Sequence, residues 1–400
     1  TEPTPTSFIG GTPNVPEIPG YNQFQTNGYD GGSQRTIYQF YAQDKVDLIG
    51  STLHFTPGIT LEGTSSSNHA TDFFTVDSVT GLIDTVSYKL SKFDREALPF
   101  VNVSYDLDKV LPAAAGTSLY GSFGNSALFA PVTDFGPTTT GGVPYASIVH
   151  MYEAGAKYDT SRLFLSLDYF YQKVDRDFGY YAGSGTTQGQ NFYGNSGQRE
   201  FKGLEAAITF QATPELQLFA NGSHVLAKYL VTQPAFSTIG EDQYGLAIKG
   251  SPISGVPAFL ANYGIDYHRR NLFLDRDAFS ARFSGQFTGA QYTTYDLSIY
   301  QVVPPYPTSQ TQGDTVTNLN DKLSAFSVYD LLLSYTLPTP YLPAKHLKFD
   351  LDFQNIFNKR YYQYYYSQIP PSNGEYLGGA YEDGLPGEPF AVTFTTTARF

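Results

Sequence analysis

Apolar and polar residues alternate along almost the whole chain, and helical spacing is nearly absent. In HLKFDLDFQNIF, Leu347, Phe349, Leu351 and Phe353 fall on one face, with Lys348, Asp350, Asp352 and Gln354 on the other. The closing FAVTFTTTARF sets Phe390, Val392, Phe394, Thr396, Ala398 and Phe400 against Ala391, Thr393, Thr395, Thr397 and Arg399. AFSARFSGQFTG and RLFLSLDYFYQKVD behave the same way, with Arg282 and Asp168 on their polar faces. A period of two belongs to a strand, whose side chains point alternately to opposite sides.

The pattern predicts an all-β protein of about thirteen strands, near 35–49, 52–64, 91–107, 116–126, 148–159, 162–175, 199–212, 216–231, 255–268, 276–290, 322–337, 346–364 and 387–400. Short links (Gly50-Ser51, Thr160–Ser161, Thr213-Pro214-Glu215, His268–Asp275) alternate with long ones near 65–90, 127–147, 176–198, 232–254, 291–321 and 365–386. Connections sorted by side in this way characterise an antiparallel transmembrane barrel, with short turns at one membrane face and long loops at the other. A soluble sandwich has no reason to sort them, and a propeller needs a repeat of about forty residues that is not found.

Composition agrees with the pattern. Among 400 residues there are 33 Tyr, 31 Phe, 38 Gly and 25 Pro but no Trp, a mixture that favours strands and turns. No apolar run is long enough for a helical membrane span, which leaves a barrel open because its strands average out as hydrophilic; the mean hydropathy is −0.27. The net charge of −13 argues against a nucleic-acid partner, and the absence of cysteine removes disulfides, CxxC pairs and thiolate metal sites. The opening TEPTPTSFIGGTPNVPEIPG has neither the charged start nor the apolar core of a signal peptide, so the leader is expected to be removed or the chain to begin within a longer protein.

Several segments resemble the C-terminal barrel portion of TonB-dependent outer-membrane receptors of the siderophore-receptor type. RTIYQFYAQDKVDLIGSTLHFTPGITLE resembles a mid-barrel hairpin of that family, and Leu119–Pro131 a following strand. Tyr152-Glu153-Ala154-Gly155-Ala156-Lys157-Tyr158 is similar to its "YE-G-K" strand, and Lys202-Gly203-Leu204-Glu205 to its "KG-E" strand. Asn355-Ile356-Phe357-Asn358-Lys359-Arg360-Tyr361 resembles the end of its penultimate strand. The resemblance implies about 13 of 22 expected barrel strands, with the N-terminal plug domain and the TonB box outside this chain. Residues 1–34 then form an extracellular-loop-like segment and residues 35–400 the C-terminal part of the barrel.

The resemblance further implies an integral protein of the bacterial outer membrane that takes up a ferric siderophore and is driven by a TonB-ExbB-ExbD complex acting through the plug. Cobalamin or a glycan is an alternative cargo, and outer-membrane lipid and lipopolysaccharide are surrounding partners. A passive porin or plugless channel is a second reading, and a secreted all-β binding or hydrolytic protein a third. No cofactor, metal or catalytic residue is expected, for the sequence contains no HExxH, GxSxG or Walker A string. Asp350-Leu351-Asp352 opens like a calcium loop but alternates along a strand and lacks the following glycine.

Tyrosines of the long loops are the candidate ligand contacts: Tyr180, Tyr181, Tyr193, Tyr244, Tyr292, Tyr300, Tyr364 and Tyr381. A tyrosine joins a rigid apolar ring to a polar tip, which suits an amphiphilic ligand, and equally suits the aromatic girdle of any barrel. Arg282, Lys348, Asp350 and Asp352 are expected to face the lumen, where Arg282 and Lys348, with Arg399 and Lys157, either attract an anionic chelate or pair with Glu153, Asp168, Asp266 or Asp350 across the wall. Phe400, a terminal aromatic in an alternating strand, is the candidate signal for barrel assembly.

Overall fold

The alternating segments pair into one antiparallel sheet. The computed structural model describes residues 30–76, 83–130, 139–140, 145–182, 191–231, 233–234, 246–247, 249–253, 255–292, 298–300, 316–318, 322–339, 346–368 and 381–399. Thirteen strands follow one another in the sheet in sequence order. They are β1 (Asp30–Gln43), β2 (Leu53–Val76), β3 (Ile83–Asp106), β4 (Thr117–Leu128), β5 (Ser147–Asp159), β6 (Leu163–Ala182) and β7 (Asn191–Gln211). After these come β8 (Leu216–Tyr229), β9 (Phe259–Arg270), β10 (Ala278–Thr288), β11 (Phe326–Pro338), β12 (His346–Gln354) and β13 (Ala391–Arg399). Among the described residues β1 and β13 do not pair, so the sheet is not closed.

Register assigns every side chain to a face. One row runs Tyr158, Leu165, Ile208, Ala220, Tyr263 across β5 to β9; a row near the long-loop end runs Phe123, Tyr152, Tyr171, Lys202, Leu226 across β4 to β8. Most side chains of this face are large, apolar and uncovered: Leu167 is 56% exposed, Leu204 50% and Phe394 65%. A continuous exposed apolar surface of this kind asks for lipid as its packing partner. The opposite face carries Asp168, Glu205, Asn221, Asp266, Arg282 and Asp350.

Two hairpins are longer than the alternation predicts. β2 and β3 have 24 residues each and β6 and β7 have 20 and 21, so strand replaces most of the loops expected at 65–90 and 176–198. At roughly 3.3 Å per residue a 24-residue strand is about 80 Å long, far beyond an apolar core of about 30 Å. Outside the bilayer neither face needs apolar residues, so the Thr64–Asn68 run of Thr, Ser and Asn stays in the ladder while its hydrophobic signature vanishes. In the other direction, the strand expected over 346–364 ends at Gln354. Asn355 and Asn358 take left-handed φ of 47° and 46° and turn the chain out of the sheet, and Tyr362–Gln368 pairs instead with Tyr381–Pro386.

Two of the family-like motifs have a steric cause. A Cβ on Gly203 of the Lys202–Glu205 motif would lie 2.0 Å from the His224 carbonyl oxygen, and one on Gly155 would meet Leu167 O, Asp168 Cβ and the Tyr120 ring at 2.7 Å. Glycine therefore lets neighbouring backbone and aromatic rings close in on the ladder. The Asn355 motif is a clamp: its amide donates to Lys359 O and Glu388 O (both 2.9 Å), its Oδ1 accepts from Lys359 N (2.8 Å), and Asn358 Oδ1 accepts from Phe390 N (3.2 Å). It ties the end of β12 to the start of β13.

The turn between β9 and β10 closes on Asp277, which is 1% exposed. Its carboxylate accepts from the backbone N–H of Leu272 (2.7 Å), Phe273 (2.9 Å) and Leu274 (2.9 Å) and from the Tyr335 hydroxyl (2.7 Å). Burial works to raise its pKa, but the Tyr335 hydroxyl and these N–H groups together hold it below the ordinary carboxylate value. A depressed folded pKa contributes stability above the unfolded value near 3.8 and loses it as pH falls through the folded value. Asp277→Asn is therefore expected to lower the heat-unfolding temperature at pH 7, with the difference from the parent shrinking toward pH 2; a constant difference across that range contradicts the assignment. Gly203→Val is expected to destabilise by roughly 1–3 kcal/mol or block folding, since the opposing group is backbone, and loss of heat-modifiable migration in gels reads it out.

Candidate functional site

The polar face is the chemically rich surface of the chain. Toward the short-turn end its charges occur in bonded pairs. Arg282 Nε and Nη2 donate to the two Asp266 carboxylate oxygens at 2.5 and 2.7 Å, a bidentate fork across β9 and β10. Lys348 Nζ lies 2.7 Å from Asp350 Oδ1, which also accepts from Ser334 Oγ at 2.5 Å, and Asp352 accepts from Gln354 at 3.0 Å. Lys157 stands over the Tyr120 ring at 4.6 Å. Arg282, Lys348, Asp350 and Asp352 thus all lie on the polar face by register, and each has a partner there.

A denser network sits on the same face toward the long-loop end, and the sequence pattern does not single it out. Arg35 on β1 donates from Nε to Ser66 Oγ (3.2 Å) on β2 and from Nη2 to the Ala130 carbonyl beyond β4. Arg176 on β6 reaches Glu96 on β3 at 2.6 Å. Lys92 on β3 stands 3.9 Å over the Tyr145 ring. Asp94 accepts from the Ala146 backbone N–H at 2.9 Å, and Ser147 Oγ donates to Arg176 O at 2.8 Å. Asn195 on β7 closes the set, donating to Tyr145 O (2.7 Å) and Arg176 O (2.8 Å) and accepting from Tyr145 N (2.7 Å).

The two feet of the β4–β5 connection, at 129–130 and 145–147, are thereby drawn over the polar face. Phe129, Ala130, Ala146 and Ser147 are buried, as are Thr64, Ser66 and Asn68 beneath them. The alternation of Lys92, Asp94 and Glu96 with Phe93 and Ala97 is the sequence signal for this network. It is a weak one, because Arg35, Tyr145, Arg176 and Asn195 come from four other places in the chain.

The loop tyrosines are placed less fully. Tyr180 and Tyr181 on β6 stand opposite Tyr193 and Phe192 on β7, in the part of that hairpin that reaches furthest from the short turns. Tyr292, half-buried, pairs with Lys322 and accepts the Gly255 N–H at 2.9 Å. Tyr300 pairs with Val316, Tyr364 with Leu385 and Tyr381 with Gln368, each outside the main sheet. Tyr244 and Phe400 lie outside the described residues. Among the described residues no group of three or more His, Cys, Asp or Glu side chains is arranged to hold a metal ion.

The network's hold on the connection is testable at one bond. Asp94→Ala removes the acceptor of the Ala146 N–H, and amide exchange at Ala146 is expected to rise about ten-fold, the equivalent of one net hydrogen bond. Unchanged exchange contradicts the anchoring role.

Comparison with known proteins fits this architecture. Residues 5–356 match the family model described as TonB dependent receptor-like, beta-barrel. The ferric yersiniabactin uptake receptor FyuA from Yersinia pestis superposes with a TM-score of 0.61 at 14% identity, over 92% of this chain and 46% of that one. The siderophore receptor PiuA from Acinetobacter baumannii gives 0.62 at 13%, over 92% and 43%, and the copper transporter OprC gives 0.59 at 15%, over 91% and 48%. No curated protein sequence matches. The chain spans a little under half the length of these solved structures, and at such identities the likeness is one of fold. With the family model covering most of its length, the chain belongs to the TonB-dependent receptor β-barrel family of the bacterial outer membrane.

Proposed function

We propose that the chain is the C-terminal part of the barrel of an active importer that takes up a ferric siderophore. Residues 35–400 supply wall and loops, a plug domain in the same protein fills the lumen, and a TonB-ExbB-ExbD complex supplies energy through that plug. The polar face lines the lumen and the apolar face meets lipid. The observation that carries this reading is the network of Arg35, Lys92, Arg176 and the 145–147 foot, which sets charged and aromatic groups at the loop end of the polar face. A ligand arriving from the long-loop side meets this surface before it reaches the pairs at Arg282 and Lys348.

Iron-siderophore cargo is supported by the structurally similar proteins, which include a ferric yersiniabactin uptake receptor and a siderophore receptor. Copper, named for another of them, is the competing cargo. The barrel carries out binding and passage, with no covalent chemistry in the scheme. Tyr180, Tyr181, Tyr193, Tyr244, Tyr292, Tyr300, Tyr364 and Tyr381 are proposed as the aromatic loop contacts, and Phe400 as the assembly signal.

The test is radiolabelled uptake by cells whose only receptor is the full protein. Accumulation of a ferric siderophore that ceases when TonB is deleted is expected, and Arg176→Ala with Lys92→Ala is expected to reduce it at least five-fold at limiting ligand. Diffusive, TonB-independent entry of small solutes at the same rate supports the passive pore instead. Uptake of copper but of no ferric chelate overturns the cargo.

A further inference from the structure

The first short turn of the chain is wound against its own preference. The short strand Val46–Leu48 pairs with Leu53–Phe55, and the chain reverses between them through Ile49, Gly50 and Ser51, whose φ angles are 53°, 63° and 63°. Glycine enters the left-handed region freely, but serine does so at a cost and a β-branched isoleucine is a genuine outlier there. Burial does not compensate Ile49, which is 68% exposed. A strained segment of this kind persists only where its surroundings hold it.

The groups that hold it come from the turn and its neighbour. The Thr52 N–H donates to Leu48 O and Ile49 O, each at 3.2 Å. Lys109, in the next short turn, donates to Ser51 O and lies 2.8 Å from Asp106 at the end of β3. His54 stands between the two carboxylates. Its Nδ1 lies 2.5 Å from Asp47 Oδ1 and its Nε2 3.3 Å from Asp106 Oδ2.

Both nitrogens of one imidazole therefore face anions. Only the protonated ring has an N–H for each; the neutral ring carries one N–H and one lone pair, and the lone pair is then aimed at a carboxylate. Whichever contact survives, the chain of bonds from Asp47 through His54 to Asp106 is broken, and Lys109 alone still ties the turn's Ser51 carbonyl to the neighbouring turn. Protons reach the ring readily: it lies on the polar face at the short-turn end, beyond the bilayer, with the His54 side chain 23% and the Asp47 side chain 45% exposed.

Hydrogen bonding to Asp47, and next to Asp106, raises the His54 pKa above the ordinary value of 6.5. The bridge is thus complete below pH 6.5 and is lost as pH rises through the higher folded value. The other charged groups on the elements packed here are Asp44 and Lys45 before Asp47, Asp108 before Lys109, Asp159 across Gly116, and Lys157, which stands over the Tyr120 ring beyond Ser118.

We propose that His54 is a proton-operated latch on this turn. In its charged form it joins Asp47 to Asp106 and holds residues 48–51 in their strained path against the Lys109 turn; without its proton the join opens and the strained turn moves freely. The mouth of the polar face is therefore fixed in acid and mobile in alkali at this point. The latch is independent of the cargo and of the energy source.

The experiment reads nitroxide mobility in the full protein, with a single introduced cysteine as the label site. The ratio of mobile to immobilised label at Leu48→Cys is expected to rise at least about five-fold from pH 5.5 to pH 9, with a midpoint above 6.5. A label at Ser161→Cys, in another short turn, is expected not to respond. With the Leu48→Cys label, His54→Gln is expected to be mobile at both pH values, and His54→Arg, a permanent cation, immobilised at both. A label at Leu48→Cys whose mobility ignores pH overturns the latch. A pH response that survives in His54→Gln overturns the assignment to His54, and a His54→Arg label that is mobile in acid overturns the need for charge. An equal response at Ser161→Cys overturns the latch in favour of general loosening.

Discussion

Everything in this chain depends on one constraint: a backbone inside lipid must satisfy its N–H and C=O groups within the protein, because no water is there to do so. An antiparallel ladder that continues from strand to strand is the β solution. Thirteen strands in sequence order, each paired to the next, are its outcome here. Once the ladder is fixed, side chains have two destinations. Leu165, Leu167 and Leu204 go to one face and Ser166, Asp168 and Glu205 to the other, with no third layer to hide in. The glycines at 155 and 203 serve the same ladder, since a side chain at either would push neighbouring backbone away.

The same constraint relaxes beyond the bilayer, and polar networks collect there. At the short-turn end the chain spends its polar groups on closure. Asp277 gathers three backbone N–H groups, and His54 bridges Asp47 (2.5 Å) and Asp106 (3.3 Å). At the long-loop end the strands run on past the membrane, and their polar face acquires Arg35, Lys92, Asp94, Glu96 and Arg176 with the 145–147 foot laid across them. The two faces at that end address different neighbours. The polar face carries this charged network, and the apolar face carries Lys173, Lys202 and Lys228 paired with Asp175 and Glu200.

Much of this fold is legible in the alternation alone, because period two is the direct imprint of a two-faced sheet. The strands read at 148–159 and 216–231 reappear as Ser147–Asp159 and Leu216–Tyr229. Legibility fails where the imprint does. Ser65–Asn68 is polar on both faces and reads as loop although it lies in a ladder, and the Asn355–Asn358 turn is concealed by an alternation that runs through it. The polar-face partners are only partly legible: Asp266 and Asp350 are two of four carboxylates that the pattern offers, and the structure pairs Arg282 with Asp266 across neighbouring strands and Lys348 with Asp350 along one strand. The rim network is not legible, since its members come from β1, β3, β6, β7 and a loop foot, and only the tertiary arrangement brings them within reach.

The central claim is that one face of these strands meets lipid and the other water. The absence of cysteine makes it directly measurable, because a single introduced thiol can be spin-labelled without background. Labels placed in turn at positions 204 to 209 of β7 in the full outer-membrane protein report collision with oxygen, which concentrates in lipid, and with a water-soluble nickel chelate. The account predicts strict alternation: oxygen-dominated relaxation at 204, 206 and 208, and nickel accessibility at 205, 207 and 209. Relaxation that fails to alternate, or alternation of the opposite phase, contradicts it.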